Sequence, residues 1–246
     1  MAGLSAERQE TGVINKINLA VTSNQKNPIT LIAGKTEING VTKAEKFTGR
    51  QAGGSEPYTD VVIYFIDNGK EKSINCSLKG EAAPSLAGGG LKGLELAVPG
   101  IARKFLNAAY KKLKDELKLK LGNKVPDVYG KISEADKIKI VVGNQAMGGP
   151  IDYMYIGPMD VVGDYDNKKN VLKLNGSLIP AKNYASTHDL YFRLRARRED
   201  QRFDPNAKDL TGTPKIYGKS PSKGDSAGRI VVTDKVPSMA VVIRLT

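Results

Sequence analysis

An α/β (α+β) fold, with a central mixed β-sheet flanked by helices, is predicted by three features of this 246-residue chain. Apolar residues recur at helical spacing near the amino terminus and again after residue 100. Between them lie two β-rich runs joined by a tight-turn signal, and the chain beyond residue 138 reads mostly as short strands punctuated by Pro and Gly. A chain of this length buries about 70–75% of the surface its unfolded form exposes. With 40% hydrophobic and 26% charged residues it belongs among globular proteins despite its 26 glycines. A single domain is expected, with a core over residues 6–145 and a β-rich part over residues 146–246, because no linker marks a clean cut.

Residues Ala6 to Val21 place Val13, Ile14, Ile17, Ala20 and Val21 on one helical face and display Glu7 and Glu10 near the start. Asn27-Pro28 ends that helix. From Ile29 to Phe47 short apolar groups are broken by Gly34 and by Asn39-Gly40, the latter a hairpin or turn signal. The runs Asp60 to Ile66 and Lys72 to Leu78 flank Asp67-Asn68-Gly69-Lys70 and are expected as adjacent antiparallel strands. Residues 81–100, rich in Gly, Ala and Pro, read as a flexible connector. Lys92 there is followed by Gly93 instead of Ser or Thr, so the segment is no Walker-type phosphate loop.

The recurrence of Ile101, Phe105, Ala109, Leu113, Leu117 and Leu121 predicts one helix from Ile101 to Leu121, stopped by Gly122. Its other side is basic, with Arg103, Lys104, Lys111, Lys112, Lys114, Lys118 and Lys120 against Asp115 and Glu116. Strands are expected at Ile138 to Val142, Tyr153 to Ile156, Val171 to Leu174, Leu190 to Ala196 and Val241 to Leu245. The polar segment Asp204 to Gly228, with three prolines, is too long for a passive connection and reads as a surface or binding loop.

Composition narrows the function. One cysteine, Cys76, and one histidine, His188, exclude disulfide scaffolds, zinc fingers and bis-histidine metal sites, and leave almost no room for nucleophilic triads. Cys76 reads as a buried strand filler and His188 as a turn residue. No apolar run has the length of a signal-peptide core or a membrane span, which predicts a cytoplasmic chain with no membrane partner. The excess of 38 Lys+Arg over 26 Asp+Glu, a net +12, is the balance of a protein that meets a polyanion. Absence of Trp and only 6% aromatics argue against a base-stacking platform and favour double-stranded DNA as the partner.

What remains for catalysis is carboxylate, lysine and a bound divalent metal. Asp60 opens a strand, and one hairpin later comes Asn75-Cys76-Ser77-Leu78-Lys79-Gly80-Glu81. Alternation puts Asn75, Ser77, Lys79 and, if the strand continues, Glu81 on one face, with Cys76 and Leu78 on the other. An aspartate beside a lysine two residues past a polar group can hold Mg²⁺ or Mn²⁺ against a scissile phosphate, the lysine orienting the attacking water and offsetting charge. Further along, Tyr191, Arg193, Arg195 and Arg197 alternate with Phe192, Leu194 and Ala196. That is an arginine ladder suited to phosphates and guanine edges, and salt bridges to Asp or Glu are its other reading. Lys215, Lys219 and Lys223 extend this candidate DNA-contacting surface, with Arg103, Lys104 and Lys111 of the basic helix as a second one.

Gly53-Gly54-Ser55, Thr59-Asp60 and Ser77-Leu78-Lys79 together resemble the core of the PD-(D/E)xK nuclease superfamily, in particular the restriction endonucleases whose second acid is replaced by another polar residue. The resemblance covers residues 6 to 121. It implies a first helix bearing a glutamate, an antiparallel hairpin with the metal-binding residues, and a helix packed on the sheet. Asp60 would then be a metal ligand, Lys79 the catalytic lysine, Ser77 the occupant of the second-acid position, Glu10 an auxiliary acid and ligand, and Glu81 a substitute for the missing acid. The chain departs from the pattern at Thr59, where the family has proline, and at Ser77. The expected activity is Mg²⁺-dependent DNA endonuclease, with a second copy of the chain as a candidate partner. A non-catalytic nucleic-acid-binding or virion packaging protein on the same scaffold is the alternative, and an assembly protein a third.

Overall fold

The computed structural model describes residues 2–23, 28–49, 57–81, 90–195, 202–218 and 229–245. In chain order the elements are α1 (Ala2–Ser23), β1 (Ile29–Ala33), β2 (Thr36–Lys46), β3 (Val61–Asp67), β4 (Lys70–Gly80), α2 (Gly90–Ala97), α3 (Ile101–Lys111), β5 (Val128–Lys131) and α4 (Glu134–Val142). There follow β6 (Tyr153–Gly157), β7 (Gly163–Asp166), β8 (Val171–Leu174), β9 (Ser177–Pro180), α5 (Ala181–Thr187), β10 (Tyr191–Arg195), β11 (Arg229–Thr233) and β12 (Val241–Ile243). The fold is mixed α and β, as expected. The chain divides into two compact units that interleave along the sequence, residues 1–84 with 141–187, and residues 85–140 with 188–246, instead of parting at a single point.

The first unit is an eight-stranded mixed sheet in the order β7-β8-β1-β2-β3-β4-β6-β9. Its β1/β8 and β4/β6 pairs are parallel and the others antiparallel. Helix α1 lays Val13, Ile17, Ala20 and Val21 into a core with Leu31, Val41, Val61, Ile63, Cys76, Leu78, Tyr155 and Leu172. Each large aliphatic side chain fully buried in this way contributes about 1.5–3 kcal/mol. The Asp67-Asn68-Gly69-Lys70 turn forms as predicted, with Asn68 and Gly69 at φ 50° and 73° and Asp67 paired to Lys70. Both central residues need positive φ, which is why Asn-Gly serves there.

Asn39-Gly40 is not a hairpin. The chain reverses at Gly34-Lys35, and Asn39-Gly40 is an irregularity inside β2, where the β1 register shifts from Ile29↔Val41 to Leu31↔Ile38. Gly40 has φ 79°, and a Cβ on it would lie 2.4 Å from the Ile66 carbonyl oxygen of neighbouring β3. Gly40→Ala is therefore expected to lower stability by about 2–3 kcal/mol, combining left-handed strain with a backbone clash. Urea unfolding measures this, and a midpoint unchanged from wild type would remove the bulge from the account.

The second unit holds a four-stranded sheet, β11-β10-β5-β12, with β5/β12 parallel. Phe192 and Leu194 of β10 are fully buried, as the alternation predicted, and Phe105 of α3 packs on Phe192 at 5.4 Å between ring centroids. Gly130 of β5 makes room for that helix: a Cβ there would meet the Phe105 ring at 2.8 Å. The predicted helix from Ile101 to Leu121 is shorter than expected. After Lys111 one π-helical turn, Lys112–Glu116, ends it. The extra residue in that turn rotates Leu117 off the buried face, so Leu117 and Leu121 are exposed while Ile101, Phe105, Ala109 and Leu113 are buried. Lys118 then takes φ 54° and the Leu119 N–H donates to the Leu113 carbonyl, closing the helix.

Two further expectations are corrected. Residues Gly90–Ala97, read as connector, form α2, whose Glu95 carboxylate accepts from the Gly100 and Ala102 N–H groups at 2.6 and 2.8 Å and so caps the start of α3. Ile138 to Val142, read as a strand, belongs to α4. Ser133 caps that helix through the Asp136 N–H at 3.2 Å, and buried Lys137, Ile140 and Val141 fix one helical face. Residues 202–218 are irregular, held by isolated bridges such as Phe203↔Tyr217 over buried Phe203, Ile216 and Tyr217.

Candidate functional site

Asp60 sits just before β3 and is fixed on both sides. Its carbonyl accepts from the Phe47 N–H at 3.1 Å and its N–H donates to the Cys76 carbonyl at 2.9 Å. Beyond the Val61↔Cys76 pair β3 no longer runs alongside β4, and the Leu78 N–H finds the Asp60 carboxylate instead, donating to Oδ2 at 2.6 Å. Ser77 Oγ donates to the same oxygen at 3.0 Å. Lys79 Nζ stands 3.9 Å from it, an ion pair with both side chains mostly buried. Of the polar row read from alternation, Ser77 and Lys79 stand at Asp60, whereas the Asn75 side chain donates to the Pro150 carbonyl at 2.9 Å; Cys76 and Leu78 turn into the apolar core.

Thr59, in the position where the resemblance has proline, donates both its N–H and its hydroxyl to the Gly148 carbonyl, at 3.2 and 2.6 Å. A proline lacks both donors. This anchor fixes the approach to Asp60.

Helix α1 closes the site from another side. Gln9, 2% exposed, directs Nε2 at the carbonyls of Lys79, Gly157 and Pro158 at 3.3, 2.9 and 3.2 Å, pinning the helix to the ends of β4 and β6. The next residue, Glu10, pairs with Lys46 at the end of β2, Oε2 to Nζ 2.9 Å. Glu10 Oε2 is sealed from solvent. The Glu10 carboxylate holds the Lys46 ammonium above its ordinary pKa, with smaller contributions from Glu7 and Asp60. Glu7, Glu10, Lys46, Asp60 and Lys79 all line one cavity of about 440 Å³.

Glu81 lies exposed beyond the end of β4 and is not among the residues lining that cavity. It faces Tyr155, whose hydroxyl is pushed up to about 12, first by burial and then by the Glu81 charge. Ser77, at 3% exposure, spends its hydroxyl on Asp60. Lys46 and Gln9 were not singled out in the sequence. The signal for Lys46 was its place at the end of the strand that pairs with β3, where it stands opposite Val61. Gly53-Gly54-Ser55 fall outside the described residues.

Among the described residues no three Asp, Glu, His or Cys side chains converge as a ligand set. Mg²⁺ does not require one, since it commonly takes one or two carboxylates and completes its shell with water and substrate phosphate oxygens. Among the described residues every polar contact on the Asp60 carboxylate is to Oδ2, which leaves Oδ1 for a cation, whereas Glu10 Oε2 is sealed from solvent and held 2.9 Å from Lys46 Nζ, so it would reach a cation only by giving up that ion pair. Burial pushes the Cys76 thiol well above its ordinary pKa, as expected for a filler and not a nucleophile. A thiol reagent is expected to label native protein negligibly and one equivalent in denaturant. Rapid labelling of the folded chain would overturn the buried placement.

In the second unit the arginine ladder meets its other reading at Arg193. The guanidinium bonds Asp127 Oδ2 through Nε at 2.9 Å and through Nη2, and stacks over Tyr129 at 5.7 Å. The side chain of Arg195, and Arg197 with Lys219 and Lys223, lie outside the described residues. Arg103, Lys104 and Lys111 are exposed on one side of α3. Arg103 faces Asp209, whose carboxyl is held below its ordinary value chiefly by the Thr211 hydroxyl, then by the Thr213 and Thr211 amides, and least by Arg103. His188 follows α5 and offers its carbonyl to the Nζ of buried Lys137 at 2.9 Å.

No helix among the described residues is long and apolar enough to cross a membrane. Compared with known proteins, the chain matches no family model, no curated sequence and no solved structure.

Proposed function

We propose that the chain is an intracellular Mg²⁺-dependent endonuclease acting on double-stranded DNA. The observation that supports this reading best is the meeting of Asp60 and Lys79, 3.9 Å apart, with Glu10 at one 440 Å³ cavity fed by three separate elements. In this reading Asp60, with Glu10 once it exchanges Lys46 for the ion, would hold the metal, which would supply a water of lowered pKa and offset charge on the phosphate oxygens. Lys79, kept in place by Asp60 and by the Gln9 bond to its carbonyl, offers an ammonium to the phosphate as negative charge builds. Lys46, mostly exposed though paired with Glu10, would meet a second phosphate oxygen.

A second reading has one observation in its favour: Ser77 is buried, its hydroxyl already used, and it supplies no charge where the resemblance has an acid. On that reading the protein binds nucleic acid without cutting it. The two separate on a plasmid assay with Mg²⁺ or Mn²⁺. Nicking by wild type and its loss in Lys79→Ala support the nuclease. Equal outcomes for the two proteins, whether both cut or neither does, reject it.

A further inference from the structure

The positive charge is not shared between the two units. Residues 1–84 and 141–187 carry 14 Lys and Arg against 13 Asp and Glu, whereas residues 85–140 and 188–246 carry 24 against 13. Of the net +12, therefore, +11 belongs to the second unit and +1 to the unit that holds the Asp60 cavity. Within the second unit the cations are not spent evenly. Arg193, Lys112, Lys131, Lys137 and Lys139 pair with carboxylates. Lys104, Lys111, Lys118, Lys120 and Lys124 are exposed, and none has a carboxylate within 4.0 Å among the described residues.

These lysines follow one another along α3 and the segment after it. At 100° per residue, Arg103, Lys104, Asn107 and Lys111 fall within about a third of the helix circumference, opposite buried Ile101, Ala102, Phe105, Leu106 and Ala109. Lys104 and Lys111 are about 10 Å apart along the axis, the span of about three phosphates at 3.4 Å of axial rise per strand. The π-helical turn and the left-handed Lys118 end the helix and carry Lys118, Lys120 and Lys124 beyond it. Leu117 and Leu121 are exposed among them, which raises an anionic lipid surface as the other polyanion. A lipid-binding helix presents a continuous apolar stripe outward, and the apolar stripe of α3 is already buried within its own unit.

We infer that the second unit grips the duplex DNA backbone through the exposed face of α3 and the lysines from Lys118 to Lys124, without divalent metal and without sequence readout. The inference rests on the proposed function only for the identity of the partner. Arg193 of β10, tied to Asp127, is not part of this grip.

The full chain and two quadruple variants are titrated with a labelled duplex in EDTA at several salt concentrations. One variant carries Lys104→Gln, Lys111→Gln, Lys118→Gln and Lys120→Gln. The other removes equal charge from the first unit with Lys35→Gln, Lys70→Gln, Lys168→Gln and Lys173→Gln. The first is expected to bind on the order of tenfold to a hundredfold more weakly and to flatten the slope of log affinity against log salt by about three to four. The second is expected to retain both affinity and slope. Equal weakening in the two variants would mean that overall charge, and no particular surface, binds the duplex. Unchanged binding in the first would also overturn the assignment, as would a variant that keeps its duplex affinity but loses phosphatidylserine vesicles. Because EDTA silences any metal site, failure here leaves the plasmid assay of Lys79→Ala to be decided separately.

Discussion

Asp60→Asn is expected to reduce metal-dependent nicking by about three orders of magnitude while leaving the fold intact. The asparagine oxygen can still accept from the Leu78 N–H and the Ser77 hydroxyl, now at 2.6 and 3.0 Å from Oδ2. What it loses is the charge that a divalent cation and the Lys79 ammonium both need. Asp60→Ala removes the acceptors as well, leaving a partly buried N–H unmatched, and should cost about 1–2 kcal/mol of stability in addition to activity. The pair of variants therefore separates chemistry from structure. Loss of nicking in both, with a urea midpoint lowered only for alanine, is the expected pattern. If Asp60→Asn nicks at the wild-type rate, the carboxylate is a structural strut for β4 and nothing more.

Local turn chemistry and short-range alternation were legible in the sequence because their causes are local. The Asp67-Asn68-Gly69-Lys70 turn needs positive φ at its two central residues, and Asn-Gly states that need outright. Ser77 and Lys79 share a face by the period of a strand, and the short hairpin register that pairs Val61 with Cys76 sets Asp60 beside them. Where reasoning failed, a distant partner decided. Asn39-Gly40 has the same composition as a turn, but the Ile66 carbonyl pressing on Gly40 makes it a bulge, and no local signal reports that approach. Ile138 to Val142 has the β-branched run of a strand, and burial of Lys137 beside the His188 carbonyl, 51 residues on, helps set it as one side of a helix. Arg193 had two readings, phosphate contact and salt bridge, and Asp127, 66 residues upstream, makes it the second. Lys46 and Gln9 belong to the same class: each enters the site only because strand order brings β2, β4 and β6 beneath the start of α1.

Gln9→Leu tests whether that placement is what makes the cavity work. The side chain is almost wholly buried, and its amide serves three carbonyls from two chain segments, those of Lys79, Gly157 and Pro158. Leucine has similar volume and offers no donor, so the carbonyls lose their partner at a cost of about 2–3 kcal/mol. Gln9→Glu should be worse, because a carboxylate oxygen would replace the donor and face the same carbonyls. The functional consequence follows from adjacency. Glu10 is the next residue on α1, and Lys79 is the residue whose carbonyl Gln9 holds, so loosening this clamp moves a carboxylate and a lysine apart. The expected signature is a raised Mg²⁺ requirement for nicking, about tenfold at half-saturation, with the rate at saturating metal reduced much less. Asp60→Asn differs, since added metal should not restore it. A Gln9→Leu protein that unfolds earlier in urea but shows an unchanged Mg²⁺ requirement would confine Gln9 to holding the helix down. It would also mean that Glu10 does not contribute to metal binding at this cavity.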